Sequence, residues 1–502
     1  MSSPDPPVRA LSPWRQPRWF STLFLTDLWE RFSFFGMMAI LFLYASTPAA
    51  EGGLGMLPGS AGALVGLYIS ATFVASVPGG WLGDRLFGAQ RAVLYGAALI
   101  ASGHLCLVIP AEGTFYLGIT LIAAGTGLFK PNLSALLGAF YPSKSSAQRE
   151  AGFSVFFISI QIGALLAPLV TGFLGEKVDW HLGFGAAAVG MGVGILVYLR
   201  GLRHLGDVGR EPRHRADPAI LRRVGLRTAL GLGLACVPVT AGALAGALRV
   251  EYFVAVVGAL VLLSPVPYIR TILRGPEVTE ADRVRLRAYA WVFLSTAVLF
   301  LLVSQGNSVL NRFAAESTDR VMAGFTVPAS WFQALHPLFI LLAAPVIARI
   351  WAGPGGRLSV PVKLAAGLSL AAASFVPMIF AGQAAFSGPV SPLWLILVYL
   401  IQSLAELIIG TVGLGVTAQI APAGATSRLM GLWWLAGAVG AVVGGQLARL
   451  AMSAGSGSSP AYFLALTLLP AAVAIALAVR RDRITARLAP GGSLSPSHQF
   501  SH

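Results

Sequence analysis

The sequence predicts an all-α membrane protein with fourteen transmembrane helices. Of its 502 residues, 56% are hydrophobic and only 11% are charged, whereas an ordinary soluble protein carries about 25% charged residues. Its apolar segments reach the length of about 20 residues that a helix needs to cross the hydrocarbon core of a bilayer. These segments are uniformly apolar and contain glycine and proline, which favours helices over the short alternating strands of a membrane barrel.

The fourteen segments divide as six, two and six, which is typical of a transporter built from repeats with its substrate site between the two halves. The predicted spans lie near residues 22–44, 60–83, 91–110, 114–139, 151–174, 182–202, 226–247, 252–272, 288–311, 331–351, 360–381, 392–420, 428–450 and 461–479. The predicted organisation is a cytoplasmic amino-terminal tail (1–21), a six-helix bundle (22–203), a basic linker (204–225), an inserted transmembrane hairpin (226–273), a second linker (274–287), a second six-helix bundle (288–481) and a flexible cytoplasmic tail (482–502). The inserted hairpin is expected to be peripheral to the transport machinery.

The net charge of +15 comes mainly from arginines in alternate connections between the spans. Eight arginines lie between Arg200 and Arg227, and a second basic group extends from Arg270 to Arg287, whereas connections such as PAEGT and FSGPVSP contain neither Lys nor Arg. This positive-inside pattern predicts that both termini are cytoplasmic, and it argues against a nucleic-acid-binding role for the charge. The chain has no cleavable amino-terminal signal before the first span, which is therefore expected to insert uncleaved.

The sequence gives no sign of a metal site or an ATP-driven pump. Cys106 and Cys236 lie in apolar segments, which indicates packing residues rather than a disulfide. No histidine pair, cysteine cluster or carboxylate group has the spacing of metal ligands. No glycine-rich phosphate-binding motif with lysine occurs either. We therefore expect no cofactor, with a proton gradient as the driving force.

The first span, TLFLTDLWERFSFFGMMAILFLY, contains three ionisable residues, Asp27, Glu30 and Arg31. Their spacing places all three on one helical face. A charge near the centre of a bilayer costs roughly 2.5 to 3.5 kcal/mol on insertion scales, so such residues usually face a protein interior or a water-filled path. This span is therefore predicted to carry function.

The connection between spans two and three, GGWLGDRLFGAQR, combines glycines with two charges, Asp84 and Arg85. It resembles the glycine, aspartate and arginine loop of the major facilitator superfamily. Glycines permit a tight turn, and the two charges can pair or cap neighbouring helix ends. We predict a gating role for Asp84 and Arg85, and the alternative is a generic positive-inside turn.

Several segments together are similar to the signatures of proton-dependent oligopeptide transporters. DLWERFSFFGM resembles that family's first-helix signature, and GTGLFKPNLSALLG resembles its fourth-helix signature. AGFSVFFISIQIGALLAPLVTGFLGE, VPASWFQALHPLF and AELIIGTVGLGVTAQIAP resemble later signatures. The chain is therefore identified as a divergent member of this family, within the major facilitator superfamily. The resemblance implies two six-helix bundles, an inserted helix pair as in bacterial members, a bacterial cytoplasmic membrane location and proton-driven symport of short peptides by alternating access.

The resemblance also implies two overlapping sets of site residues. For proton coupling they are Asp27, Glu30, Arg31, Lys130 and Glu406, with Asp27 in place of a glutamate. For substrate binding they are Arg31, Phe34, Phe35, Lys130, Gln161, Ser304, Gln305, His336, Glu406, Trp433 and Trp434, where either tryptophan matches the family's aromatic position.

Several of these positions depart from the family pattern. The departures are Phe34 and Phe35 for tyrosines, Met38 for a basic residue, Gln161 and His336 for asparagines, and Ser304 for a glutamate. The changes remove hydroxyls and charges that meet a peptide. They favour a bulkier or less peptide-like ligand.

The charges themselves suggest how coupling works. We hypothesise that Glu30, paired with Arg31 or Lys130, exchanges that partner for a proton while Asp27 tunes the exchange. The alternative is a permanent ion-pair network that joins the first and fourth helices. Arg31 and Lys130 can bind a carboxylate, and Glu406 can bind an amine, which favours a zwitterionic or amphipathic substrate.

Two interpretations are open for the aromatic residues, and two for the histidine. The four aromatic residues either line the substrate site or only pack helices. His336 is either a proton carrier, since histidine titrates near about pH 6.5, or a hydrogen-bonded structural residue.

Three functions follow from this pattern. The leading prediction is a proton-coupled symporter of short peptides or peptide-like molecules. The second is a proton-coupled carrier or exporter of a non-peptide metabolite or drug-like compound. A membrane enzyme or sensor is a third class, which the retained charges argue against. The protein is expected to contact only lipid and its small-molecule substrate, and to function as a monomer.

Overall fold

Six long helices form the amino-terminal half of the chain in the computed structural model of the protein. The structure describes residues 17–141, 146–212, 215–219, 222–223, 225–226, 230, 250–275, 278–422, 426–453 and 459–488. The six helices are α1 (Arg18–Ser46), α2 (Pro58–Leu82), α3 (Ala89–Val108), α4 (Glu112–Ala139), α5 (Ser146–Lys177) and α6 (Trp180–Leu205). Helix α1 packs against α5 and α6, and α3 packs against α4.

A second set of six long helices forms the carboxyl-terminal half, after an inserted segment. The inserted segment contains α7 (Val250–Leu263) and α8 (Pro265–Leu273). The second half contains α9 (Glu280–Val303), the short α10 (Val309–Glu316), α11 (Leu335–Ala352), α12 (Val360–Ala384), α13 (Leu393–Ile420), α14 (Thr426–Ser453) and α15 (Pro460–Val479), followed by the short α16 (Arg481–Leu488).

The helices confirm the predicted all-α membrane architecture. Among the described residues, twelve helical segments are long and apolar enough to cross a membrane. Helix α4, with 28 residues, corresponds to the fourth predicted span and is about 42 Å long at the usual rise of an α-helix. Helices α7 and α8 together form the eighth span. The seventh predicted span, 226–247, lies almost entirely outside the described residues.

The ninth predicted span is broken near its end. Helix α9 ends at Val303, and a 3₁₀ turn over Ser304–Asn307 precedes α10. Ser308, between the two helices, has φ −136° and ψ −85°, outside the helical region. The hydroxyl of Ser304 donates to the carbonyl oxygen of Leu301 at 2.7 Å. Such local side-chain bonds compete with regular helix, which explains why SQGNS interrupts this span.

A small β-hairpin was not part of the helical prediction. Strands β1 (Val321–Met322) and β2 (Phe325–Thr326) pair antiparallel between α10 and α11. The two turn residues, Ala323 and Gly324, both have positive φ, at 51° and 81°. This is the backbone that a two-residue hairpin turn requires. Two-residue strands are too short to produce an alternating pattern in the sequence.

The two halves meet along α2 and α14, where small residues let the backbones approach. A Cβ added to Gly66 would lie 2.5 Å from the carbonyl oxygen of Ala441 and 2.8 Å from the Cα of Gly445. One turn further along α2, the hydroxyl of Ser70 donates to the carbonyl oxygen of Ala438 at 3.0 Å. This seam between the halves therefore has no room for a larger side chain at Gly66.

Further contacts between the halves lie at the end of the molecule where α1 ends and α2 begins. We name this end of the molecule the closed end. The amides of Asn311 and Gln333 both donate to the carbonyl oxygen of Ala39, at 3.0 and 3.2 Å. The indole of Trp331 donates to the carbonyl oxygen of Leu169 at 3.0 Å. The closed end is thus held by side chains of the second half that bind the backbone of the first.

The described part of the inserted segment packs on the helices that join the two halves, with few of its residues buried. Helix α7 contacts both α2 and α14. Val254 is buried against Ala63 and Leu67 of α2, and a Cβ at Gly258 would lie 3.3 Å from Val442 of α14. The segment therefore contacts the two helices that join the halves, because their small side chains leave a shallow apolar surface for it.

The terminal segments also differ from their predicted bounds. Helix α1 begins at Arg18, within the predicted tail, and residues 1–16 lie outside the described residues. The prediction of a flexible tail from residue 482 is wrong up to residue 488, because Ile484 and Leu488 of α16 are buried in the core formed with α9 and α12. Their spacing of four places them on one helical face. Residues 489–502 lie outside the described residues.

Candidate functional site

Glu30 and Arg31 form a bidentate ion pair inside the amino-terminal half. The guanidinium donates through Nε and Nη2 to the two carboxylate oxygens, and the two side chains are only 0% and 4% exposed. The Arg31 guanidinium also lies 5.0 Å from the centre of the Phe34 ring. Of the two partners predicted for Glu30, the structure has Arg31.

Asp27 has a neutral partner instead of a cation. The hydroxyl of Ser159 on α5 donates to its carboxylate at 2.7 Å, and both residues are buried. Helix α5 comes this close because Gly163, one turn later, has no side chain. A Cβ there would lie 2.7 Å from the carbonyl oxygen of Leu28 and 2.8 Å from the Cβ of Arg31. The sequence reasoning missed Ser159, although a polar residue inside an apolar span is a signal that could have indicated it.

Lys130 on α4 contacts aromatic rings across the seam. Its ammonium lies 4.8 Å from the centre of the Trp434 ring on α14 and 5.6 Å from that of Phe73 on α2. These two rings stack on each other at 5.6 Å. Among the described residues, no carboxylate lies within ion-pair distance of Lys130. Its positive charge is therefore held by two aromatic faces, which attract a cation more weakly than a carboxylate does.

A second pair of ionisable side chains lies inside the carboxyl-terminal half. His336 Nε2 on α11 lies 2.8 Å from Glu406 Oε2 on α13, and the two side chains are 16% and 30% exposed. The Ser403 hydroxyl, one helical turn before Glu406, lies 3.1 Å from His336 Nδ1. Glu406 and His336 were both predicted site residues, but their contact was not predicted.

The two polar residues predicted to bind substrate on the broken ninth span, Ser304 and Gln305, form hydrogen bonds within the protein. The fully buried amide of Gln305 donates to the carbonyl oxygens of Leu301 and Gly444, at 2.9 and 3.2 Å, and accepts from the hydroxyl of Tyr462 at 2.7 Å. Ser304 also bonds to the carbonyl of Leu301. Gln305 thus joins this span to α14 and α15, whereas the Ser304 bond lies within the span, and the substrate contact of both residues stays a prediction.

The aromatic candidates differ in their surroundings. Phe34 packs edge-on against Phe35 and stacks on Tyr68 of α2, with ring centres 5.3 and 6.0 Å apart. The buried Tyr68 hydroxyl has no hydrogen-bond partner among the described residues, which marks it as a free polar group beside the charged set. Of the tryptophans, Trp434 contacts Lys130, whereas Trp433 is 4% exposed. The other predicted positions, Gln161 and Met38, are also buried, at 6% and 1% exposure.

The closed end carries a charged contact between the halves that the sequence did not reveal. The carboxylate of Glu176, at the end of α5, accepts from the backbone N–H groups of Ala329 and Ser330 at 2.7 and 2.9 Å. It also accepts from the Ser330 hydroxyl at 2.6 Å and lies 3.7 Å from Arg320 Nη1. Glu176 thus binds the second half through four donors. Its position as the last residue of the GFLGE segment gave no hint of that partner.

Asp84 and Arg85 lie on an exposed π-helical turn, Gly83–Phe87. Neither side chain has a hydrogen bond or ion pair with a residue that the structure describes. The turn itself is fixed by Asn132 of α4, whose amide donates to the carbonyl oxygen of Gly79 at 2.9 Å. A Cβ at Gly83 would clash with the Asn132 side chain. The need for glycine in this turn is therefore explained, and the gating role stays a prediction.

Two curated relatives cover most of the chain. The chain is 38% identical over 437 residues to YclF, an uncharacterised transporter of Bacillus subtilis (strain 168), which covers 86% of this chain and 88% of the relative. It is 35% identical over 463 residues to a di-/tripeptide transporter of Lactococcus lactis subsp. cremoris, with 90% and 92% covered.

A solved structure and a family profile agree with these relatives. The crystal structure of a peptide transporter POT in complex with sulfate matches with a TM-score of 0.89 at 36% identity, over 96% of this chain and 97% of that chain. This match confirms the predicted major facilitator superfamily fold. The profile of the POT family matches residues 90–462, which is most of the sequence. The chain belongs to the POT family.

Proposed function

We propose that the protein is a proton-coupled symporter of short peptides or peptide-like zwitterions that works by alternating access. The observation that carries this proposal is the division of the charges inside the membrane-spanning helices between the two halves. Arg31 and Lys130 lie in the first half, and Glu406 lies in the second. A substrate with a carboxylate at one end and an amine at the other matches this polarity.

The surroundings of Lys130 support binding of the substrate's carboxylate end. A cation without a carboxylate partner is costly in a low-dielectric site. Its ammonium rests on the aromatic faces of Phe73 and Trp434, and Trp434 belongs to the opposite half. A substrate carboxylate that reaches Lys130 replaces these weak contacts with an ion pair. Substrates with a negatively charged end should therefore bind more tightly than substrates without one.

The Glu30–Arg31 pair supports proton coupling. While Glu30 is ionised, both ends of its carboxylate are bonded to Arg31. Protonation of Glu30 removes the charge that holds the guanidinium and leaves Arg31 available for a second carboxylate contact. A proton on Glu30 and a substrate carboxylate on Arg31 therefore favour each other's binding, which couples the two.

The alternative substrate is a non-peptide metabolite or drug-like compound. It is favoured by Phe34, whose ring lies on the Arg31 guanidinium where the family pattern has a hydroxyl. Phe35, edge-on to Phe34, extends the apolar wall. An apolar wall beside retained charges suits a bulky zwitterion better than a small polar dipeptide.

Flux measurements distinguish these substrates. The purified protein is reconstituted in liposomes and tested with di- and tripeptides, amino-acid derivatives and amphipathic drugs, with and without a pH gradient. Uptake of peptides that requires the gradient supports the leading proposal, and uptake of only the other compounds supports the alternative. Gradient-independent flux of every compound contradicts both.

We further propose that both termini face the cytoplasm of a bacterial cell, across its cytoplasmic membrane, and that one chain is a complete transporter. The distribution of arginines between alternate connections supports the orientation. The presence of both charged sets in one chain supports function as a monomer. Membership of a transporter family supports the further proposal that the protein is not an enzyme.

His336 is expected to set the pH dependence of transport. In His336→Asn the contact with Glu406 is lost, so uptake is expected to persist but to depend less on external pH. Among the described residues, Glu406 and Tyr399 of α13 are the titratable groups in contact with the histidine ring. Initial uptake rates across a series of external pH values measure the effect.

The matched control is His181→Asn. His181 on α6 bonds to the carbonyl oxygen of Leu107 at 3.0 Å, away from the charged set. It should leave the pH profile unchanged. An unaltered profile in His336→Asn as well would assign His336 a purely structural role.

A further inference from the structure

Four arginines converge on one cavity where the first and last long helices of the carboxyl-terminal half meet. The cavity has a volume of about 150 Å³, about five times the share of liquid volume that one water molecule takes. Its lining includes Trp291 on α9 and, as its polar members, Arg287, Arg480, Arg483 and Arg487. The space is large enough for a phosphate group.

The local sequence brings three of these arginines to one side. Arg480, Arg483 and Arg487 are spaced by three and four residues, which places them on one face of α16 and the turn before it. Ile484 and Leu488, on the neighbouring face, are buried and fix the helix against the bundle. The buried pair thus holds the arginine face in place over α9.

The arginines of the cavity differ from other arginines nearby. Arg283 pairs with Glu280, Arg285 with Asp282 and Arg481 with Asp482, at 3.1, 3.1 and 3.6 Å. In the part of the chain that the structure describes, none of the four cavity arginines has an ion-pair partner, and no carboxylate lines the cavity. Four close positive charges repel one another unless an anion joins them.

The cavity lies at the level expected for lipid headgroups. It adjoins the end of the apolar helix α15, whose last residue, Val479, is 79% exposed. Arg480, directly after Val479, has its guanidinium 5.4 Å from the centre of the Trp291 ring. Tryptophan and arginine are typical of the interface between hydrocarbon and water. The exposed apolar side chains beside the cavity are suited to contact acyl chains.

We propose that this cavity binds the phosphate group of an anionic phospholipid. Guanidinium groups match phosphate oxygens in pairs, and basic pockets between transmembrane helices on the cytoplasmic side are suited to anionic headgroups. Inorganic phosphate shares the same headgroup chemistry. The lipid is favoured because the exposed apolar end of α15 gives the acyl chains a surface that a free ion does not use.

The test measures lipid binding to the purified full chain in detergent by native mass spectrometry. Phosphatidylglycerol is the anionic probe, phosphatidylcholine the zwitterionic one, and inorganic phosphate is added as a competitor. The variants are the double replacement Arg483→Gln with Arg487→Gln, the double replacement of the same residues by lysine, and Arg481→Gln as control. Arg481 lies on the same helix but is paired with Asp482 and does not line the cavity.

The proposal expects phosphatidylglycerol to bind more tightly than phosphatidylcholine. Each lost arginine should weaken that binding about fivefold, so the glutamine double variant loses about 25-fold. The lysine double variant keeps the charges but not the paired donors, so it should lose less affinity than the glutamine double variant. Arg481→Gln should change the affinity less than about twofold, since a paired surface arginine contributes little. Equal binding of both lipids, or equal loss in the glutamine double variant and the control, overturns the proposal. Displacement of the lipid by inorganic phosphate at comparable concentration also overturns it, because the site is then a soluble phosphate site.

Discussion

The replacement Glu30→Gln is expected to abolish uptake that is driven by a proton gradient. The glutamine cannot exchange a proton, and it leaves the Arg31 guanidinium buried without its carboxylate. Loss of one partner of a buried pair typically costs about 3 to 5 kcal/mol of folding stability, so the fold of the variant needs its own control. Because no proton exchanges at this position, gradient-driven uptake should fall to the level of protein-free liposomes.

Two controls separate coupling from damage to the fold. Counterflow exchange, which needs no gradient, should persist in Glu30→Gln if the variant is folded, and the melting temperature in detergent checks folding directly. The matched variant Glu112→Gln removes an exposed acid at the start of α4 and should transport normally. Undiminished gradient-driven uptake in Glu30→Gln rules out its coupling role.

The replacement Gly66→Val is expected to prevent the two halves from meeting at the closed end. The added Cβ meets the carbonyl oxygen of Ala441 and the Cα of Gly445, and backbone atoms cannot rotate away as a flexible side chain does. The halves should therefore separate along α2 and α14, and uptake should be lost because the cycle stops in one conformation. Spin labels on exposed Glu51 and Phe386 report the distance across the closed end, after Cys106 and Cys236 are replaced.

The expected result is a longer label distance in Gly66→Val than in the parent protein, with substrate binding retained. Gly192→Val is the matched control. It makes the same change at a helical glycine of α6 that has no atom within 4 Å of an added Cβ. An unchanged distance together with normal uptake in Gly66→Val shows that the seam tolerates the side chain and contradicts the prediction.

The sequence alone was sufficient to predict features that depend on a single segment of the chain. The apolar segments predicted the helices, and the close spacing of Glu30 and Arg31 predicted their common environment. Contacts between helices were not predictable in the same way. Membrane helices are apolar on most faces, so their sequences do not fix which face meets which neighbour.

The missed contacts have this cause in common. His336 and Glu406 are 70 residues apart, and their pairing depends on how α11 and α13 are rotated. Ser159 and Glu176 each depend on the position of a helix or turn elsewhere in the chain. Helix α16 was missed for another reason, because two buried residues in a short basic segment give a weak signal.

Two pairs of ionisable side chains each lie within one half of the protein. Glu30 and Arg31 are neighbours on α1, and His336 and Glu406 lie on α11 and α13. A rigid rocking of one half against the other therefore leaves both pairs intact, so neither loses a partner in a low-dielectric interior, where the cost is high. The charged contact that does cross between the halves, at Glu176, lies near the closed end and regains water as it opens. The two halves can thus move against each other at low electrostatic cost. Binding of the substrate and the proton can then control this movement.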